Sequence, residues 1–260
     1  MQELKSPREL TCMKRAGTLV AEALRLSSGM IRPGLTTREL DSAVEKYVLA
    51  RGGRMAFHGY RGFPANICIS VNEEVVHGIP GPRTLKEGDL VSVDIGVEID
   101  HYFADAARTF PVGKISREAT RLLEIGWEAL ERAIAEVKPL ARLESVCRAI
   151  QQCAEGAGYN VVRKFVGHGI GRAMHEEPQI PNYVEEELGL SSIILEEGMG
   201  LAIEPMVNAG TGDVEVLANG WTVVTRDRKL SVHFEDTVVV NARGSENLTR
   251  PAAAQERSYA

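Results

Sequence analysis

Four acidic residues interrupt apolar, strand-like runs of the sequence: Asp94 in VSVDIGV, Asp105 in YFADAART, Glu204 in GLAIEPM and Glu235 in VHFEDTVVV. A carboxylate in such a setting loses its hydration and needs a partner to replace it. Asp94 and Asp105 are eleven residues apart, and in a hairpin whose tip is Ile99-Asp100 paired positions sum to 199, which sets them directly opposite on one face. Facing carboxylates repel unless protons or a cation intervene, so a metal site is the economical account. If the two halves of the chain close face to face, all four acids converge on one centre and offer their charge to two divalent cations, held about 3.5 to 4 Å apart.

Histidines refine that chemistry. FVGHGIGRAMHEEPQIP holds His168 and His175, seven residues apart across a glycine-rich turn, so they do not form the one-helix HExxH zinc signature. An all-oxygen site favours magnesium or calcium, whereas imidazole beside carboxylates favours manganese, iron, cobalt or zinc. Alone, His168 reads equally well as a core histidine or a ligand, and the neighbouring acids move it to ligand. His175 is open to three readings: ligand, proton shuttle or turn residue. His77, ending a short strand in SVNEEVVHGIPGP, is placed to donate to a substrate amide if it reaches the cleft. His58, His101 and His233 have weaker contexts, and His233 is the closest of them to the acids because Glu235 follows two residues later. Paired divalent ions lower the pKa of a bound water, aim the resulting hydroxide and stabilise the oxyanion formed on a carbonyl. Hydrolysis follows, with Glu204 exchanging the water's proton and histidines steadying the tetrahedral intermediate. The residues leave amide and phosphate substrates open, although no basic patch adjoins the acids.

The elements that must position these groups come in two similar cycles. From Pro7 to about Ser28, Leu10, Met13, Ala16, Leu19, Val20 and Leu24 recur at helical spacing. Thr36 and Glu39 can form a capping box for a second helix, which Gly52 and Gly53 end. Residues 90–109 give two strands around a polar turn, and a third helix runs from Ser116 to about Glu136. KPLARLESVCRAIQQCAEGAG then repeats the order of RPGLTTRELDSAVEKYVLARG, and a slide of 110 positions lays LKEGDLVSVDI over LEEGMGLAIEP, with Asp94 on Glu204. The expected fold is α+β: a duplicated unit with one curved antiparallel sheet, helices on its outer face and the dinuclear site in the concavity. One catalytic domain is expected over residues 1–240, in halves of about 7–115 and 116–240, and residues 241–260 lose periodicity and read as a mobile tail.

Composition agrees. The 260 residues are 44% hydrophobic, enough for one large core, and carry a formal charge of −6, which argues against nucleic-acid binding. No apolar run approaches the ~20 residues of a membrane span, and MQELKSPREL lacks a signal-peptide core. Cys12, Cys68, Cys147 and Cys153 form no CxxC pair. Reduced thiols and a cytoplasmic location are the expectation.

NEEVVHGIP, DIGVEIDHYFADAART, GHGIGRAMHEEP, IEPM and NGWTVVTRDRKLSVHFEDT together resemble type I methionine aminopeptidases, of the pita-bread metallopeptidase superfamily, over about residues 7–240. The resemblance implies removal of the initiator methionine from nascent proteins whose second residue is small. It implies two divalent ions, Co, Mn, Fe or Zn, with Asp94 on one, His168 and Glu204 on the other, and Asp105 and Glu235 bridging. His77 resembles the histidine that contacts substrate and aids the transition state, and His175 the one that binds the scissile carbonyl. Phe57, Tyr60, Phe63, Cys68 and Trp221 resemble the lining of the methionine pocket. Nascent polypeptides are the implied partners, the ribosome is a candidate one, no membrane is involved, and a monomer is expected. Three departures from the family pattern stand out: Phe57 where cysteine is common, Met174 where phenylalanine is, and HFEDT, with Asp236, where QFEHT or QYEHT is frequent around Glu235. Asn72 and Ser231 resemble positions near an auxiliary monovalent-cation site. The proline-directed relatives share the ligands but usually add an N-terminal domain, for which the six residues before the first helix leave no room. A silent binding module of the same fold would have lost ligands, and all five persist.

Overall fold

The computed structural model describes residues 3–250. In chain order, α1 (Pro7–Met30) and α2 (Thr37–Leu49) precede β1 (Arg54–Met55), β2 (Cys68–Val71), β3 (Glu74–Val76) and the long hairpin β4 (Leu90–Ile99) and β5 (Tyr102–Pro111). Then follow α3 (Arg117–Ala135), α4 (Leu143–Gly156), β6 (Asn160–Val161), β7 (Gly167–Gly169), β8 (Glu176–Ile180) and β9 (Gly200–Ile203). The chain ends in β10 (Met206–Asn208), β11 (Val214–Val216), β12 (Val223–Thr225), β13 (Ser231–His233), β14 (Asp236–Asn241) and β15 (Gly244–Asn247).

Helices α1 to α3 begin where side chains cap them. Thr36 Oγ1 accepts from the Glu39 N–H at 3.2 Å while the Glu39 carboxylate accepts from the Thr36 N–H at 2.8 Å, satisfying two helix-end donors at once. The buried stripes of α1 and α2, among them Leu19, Val20, Leu40 and Val44, share one core with Val93, Ile95 and Val97 of β4. Those of α3 and α4 share a second with Leu201, Ile203, Val232, Phe234 and Val238. Each such side chain contributes roughly 1.5–3 kcal/mol of burial energy. The helices thus cover one side of the sheets and leave the other for the site.

Strand β4 is central in its sheet, with β5 on one side and β2 and β1 on the other. A five-stranded sheet runs β15-β14-β9-β7-β8. The two sheets meet where β5 reaches the start of β14. Glu235 N donates to Ala107 O at 2.9 Å, and the Thr237 hydroxyl both accepts from Asp105 N at 2.9 Å and donates to Asp105 O at 2.8 Å. The seam therefore carries two of the four acids in register. Smaller sheets, β13-β10-β6 and β11-β12-β3, close the ends.

Two expectations are corrected. The β4–β5 hairpin pairs Asp94 with Ala107 and Asp105 with Gly96, a sum of 201, so the aspartates are diagonal and not directly opposite. The turn residues are Asp100 and His101, at φ 51° and 66°, as a two-residue primed hairpin turn requires. The pairing moves by two positions, and that even step keeps both carboxylates on one face. The periodic structure also does not end at Val240. Residues 244–247 pair with β14 as β15, and Leu248 and Thr249 are buried. Leu248 packs so closely on α1 that a Cβ on Gly17 would lie 2.3 Å from its carbonyl oxygen. The remainder of the expected tail, 251–260, lies outside the described residues.

Candidate metal centre

The seam and its neighbours bring the sequence-predicted donors together. Asp94 comes from mid-β4, Asp105 from β5, His168 from β7, Glu204 from the end of β9, and Glu235 from between β13 and β14. Donor atoms of Asp105, His168 and Glu235 lie within 4.8 Å of one another. His168 Nε2 is 3.7 Å from Glu204 Oε1. Asp94 Oδ1, Asp105 Oδ1 and Glu235 Oε1 are buried without a hydrogen-bond partner among the described residues. Glu204, its side chain 13% exposed, is the most open of the four acids.

Electrostatics say what the cluster requires. Burial, then the charge of Asp105, drives the Asp94, Glu204 and Glu235 carboxyls well above the usual carboxylate range. Asp105 itself is pushed by burial up to about 7. Such a cluster is stable only with protons or cations among the oxygens. Burial takes His168 down to about 3, so its ring is neutral. With Nδ1 as the donor to Gly169 O at 2.9 Å, the Nε2 lone pair faces Glu204. Carboxylate oxygens plus one neutral imidazole fit a divalent transition ion.

The proposed substrate side lies against this centre. The His175 ring is 4.1 Å from that of His168, and its Nδ1 is 2.9 Å from the Tyr60 hydroxyl. Although one edge of His175 reaches solvent, its partial burial, with help from Arg61, lowers it to about 4. His77 follows β3 at φ 59°, a left-handed conformation uncommon for a residue with a Cβ, and meets Phe165 and Trp221 edge-on at 5.5 and 6.3 Å. Burial brings it to about 4 as well. Phe57, Phe63 and Cys68 belong to one buried cluster with Met174, flanked by Tyr60 and Trp221. Cys68 pairs with Asp94 across β2 and β4, so apolar wall and acid are neighbours. Burial and the Asp94 charge push its thiol far up, keeping it neutral. His58 and His101 are exposed, whereas His233 is buried beside Glu204 and Glu235. Asn72 and Ser231 are neighbours: the Asn72 carbonyl accepts from Ser231 N, and its side chain bonds Asp89 and Leu90.

Sequence reasoning missed the support behind Glu235. Arg108 donates to the Glu235 carbonyl and, at 2.6 Å, to Asp236 Oδ1. Thr249 Oγ1 and Arg250 Nε reach the same carboxylate at 2.6 and 2.7 Å. Both guanidinium groups lie over the Trp127 ring, 5.2 and 4.4 Å from its centroid. The available signal was Arg108 itself, a charge in the apolar run ADAARTF, the same anomaly that marks the acids.

Comparison with known proteins places this arrangement. Residues 11–242 match the metallopeptidase family M24. Methionine aminopeptidase 1 of Bacillus subtilis is 47% identical over 246 residues, 95% of this chain and 98% of the relative. The crystal structure of methionine aminopeptidase from Thermotoga maritima superposes with a TM-score of 0.93 at 43% identity, covering 96% of this chain and all of that one. The prolidase from Pyrococcus furiosus, at 24% identity and a TM-score of 0.76, covers 95% of this chain with 65% of its own and shares the pita-bread fold alone. The chain belongs to metallopeptidase family M24 and, within it, to the methionine aminopeptidases.

Proposed function

We propose that this protein is a methionyl aminopeptidase that hydrolyses the first peptide bond of polypeptides beginning with methionine, favouring a small second residue. The observation that carries this reading is the group of partnerless buried carboxylate oxygens next to an apolar pocket, with Asp94 and Cys68 as cross-strand neighbours. Asp94, Asp105, His168, Glu204 and Glu235 are the residues that would hold two divalent ions, of Mn, Fe, Co or Zn. When bound, such ions polarise the scissile carbonyl and make water a nucleophile at neutral pH.

The chain's own groups supply the rest. Glu204, the acid most open to the cleft, takes the proton of the attacking water and passes it to the departing amine. The Tyr60 hydroxyl donates to His175 Nδ1, which leaves the proton on Nε2 to donate to the scissile carbonyl oxygen. His77 donates to the substrate amide. Phe57, Tyr60, Phe63, Cys68 and Trp221 enclose the methionine side chain, whose flexible thioether suits aromatic walls. No helix among the described residues is long and apolar enough to cross a membrane. A monomer acting in the cytoplasm on nascent polypeptides, at or near the ribosome, completes the proposal.

Cleavage of Met-Ala-Ser and Ala-Pro-Phe by metal-stripped protein restored with Mn, Fe, Co or Zn tests it. Methionine release from the first peptide is expected. Failure with every ion would sink the proposal, and preference for Ala-Pro-Phe would assign the protein to proline-directed chemistry.

A further inference from the structure

His233 stands outside the proposed ligand set, yet its ring reaches the same cleft. It ends β13, and its side chain is 3% exposed. Its backbone is fixed at both ends by one hydroxyl: His233 N donates to Thr109 Oγ1 at 2.9 Å, and Thr109 Oγ1 donates to His233 O at 2.9 Å. Nε2 is buried and has no hydrogen-bond partner among the described residues. It lies 3.6 Å from Glu204 Oε2 and 3.9 Å from Glu235 Oε2. The other oxygen of Glu204 faces His168 Nε2 at 3.7 Å. Glu204 is therefore bracketed by two imidazoles, one at each carboxylate oxygen. His168 has its Nδ1 committed to the Gly169 carbonyl at 2.9 Å.

A buried N–H without an acceptor costs about 1–3 kcal/mol, and a carboxylate without a donor costs a comparable amount. His233 Nε2 is such a buried nitrogen, partnerless among the described residues, and Glu204 Oε2 lies within a short approach of it. His77 and Arg108 also face the His233 ring; Arg108 carries donors only, and the carboxylates are stronger acceptors than the neutral His77 imidazole. Of these, Glu204 Oε2 is the nearer.

We propose that His233 is a positioning residue of the metal centre, its Nε2–H directed to Glu204 Oε2 so that Oε1 is held on the His168 side. The inference deepens the functional reading above and rests on it. It gives Glu204 a fixed orientation for two tasks, metal ligation through one oxygen and proton carriage through the other. Partners of this kind behind metal ligands commonly change affinity or activity by about 10- to 100-fold when removed.

The test compares wild type, His233→Leu and His233→Gln, each stripped and titrated with Co(II) by calorimetry and by visible absorption, then assayed on Met-Ala-Ser. His233→Leu removes the donor, and His233→Gln retains an N–H of similar reach. His233→Leu is expected to bind cobalt about 10- to 100-fold more weakly and to lose kcat more than KM, with His233→Gln close to wild type in both. Should His233→Leu not fold, His233→Asn, whose amide stops short of Glu204, replaces it. Cobalt affinity in the donor-less variant equal to wild type would overturn the inference. So would a glutamine variant as weak as the leucine one with an altered cobalt spectrum, which would mark His233 as a direct ligand. If wild type itself neither binds cobalt nor cleaves Met-Ala-Ser, the functional reading falls first, an outcome separate from either of these.

Discussion

Replacing Asp236 with asparagine removes the charge at the middle of the cluster behind Glu235. Asp236 is fully buried and accepts from Arg108, Thr249 and Arg250. Burial alone would raise its carboxyl, but Arg108 and then Arg250 outweigh burial and hold it below the ordinary range. In Asp236→Asn the Arg108 guanidinium, itself buried, loses its counter-charge. Breaking one side of a buried ion pair costs about 3–5 kcal/mol. Arg108 keeps its bonds to the Ala107 and Glu235 carbonyls and its place over Trp127, so the low end, about 3 kcal/mol, is expected. At about 2–4 °C per kcal/mol for a chain of this size, the melting temperature falls by about 6–12 °C. Arg250→Met should cost less, about 1 kcal/mol, because that guanidinium is partly exposed and shared with Glu131 at the surface. The assay is urea and thermal unfolding of metal-stripped protein at pH 7, followed by circular dichroism. A group whose folded pKa is depressed contributes above its unfolded pKa of about 3.9 and loses that contribution only as pH falls further. The difference between variant and wild type should therefore persist from pH 5 to 8. A loss under 1 kcal/mol in Asp236→Asn, or an equal loss in Arg250→Met, would refute the view of Asp236 as the centre of the cluster.

Metal removal should reverse the usual effect of alkali. Asp105, pushed up to about 7, and Asp94, Glu204 and Glu235, raised well above the usual carboxylate range by burial, bind protons in the folded apo-protein that the unfolded chain releases. Stability of the stripped protein should then fall as pH rises from 6.5 to 8.5, while metal-loaded protein stays level; parallel profiles in urea titrations would count against the carboxylate cluster. His77 and His168, at about 4 and 3, are neutral throughout that window and do not disturb the comparison. Gly96→Ala should narrow the apolar pocket, since the added Cβ would lie 2.7 Å from Phe57 Cε1 and 3.1 Å from Met174 Cε. Overpacking of about 1–3 kcal/mol predicts roughly a 10-fold loss in kcat/KM for Met-Ala-Ser, carried by KM. An unchanged KM with unchanged cobalt binding would show that this wall does not touch the methionine side chain.

The acids were legible in the sequence because a carboxylate in an apolar strand has few physical accounts, and the geometry at Asp94, Asp105 and Glu235 is the one that needs a cation. Their register was misread, because the turn sets it. A tip at Ile99-Asp100 would force a β-branched residue into the left-handed region, at a cost of about 1–2 kcal/mol, whereas Asp100-His101 avoids it. Periodicity cannot see that difference, because both registers present the same face. The end of the chain failed for another reason. Residues 244–247 are small or polar; their backbone pairs with β14 across a tight hairpin, but the side chains that follow are fixed away from it, Leu248 against Gly17, and Thr249 and Arg250 on Asp236. No local pattern encodes such partners. Yet this segment reaches the site, since Thr249 Oγ1 also accepts from Thr237 N, and the Thr237 hydroxyl holds both backbone groups of Asp105. Asp105 and Glu235 are thus anchored from the same side, one through Thr237 and the other through Arg108. The carboxylates that repel one another are held together by the seam between the sheets, and that seam is the part of the fold on which metal binding must depend most.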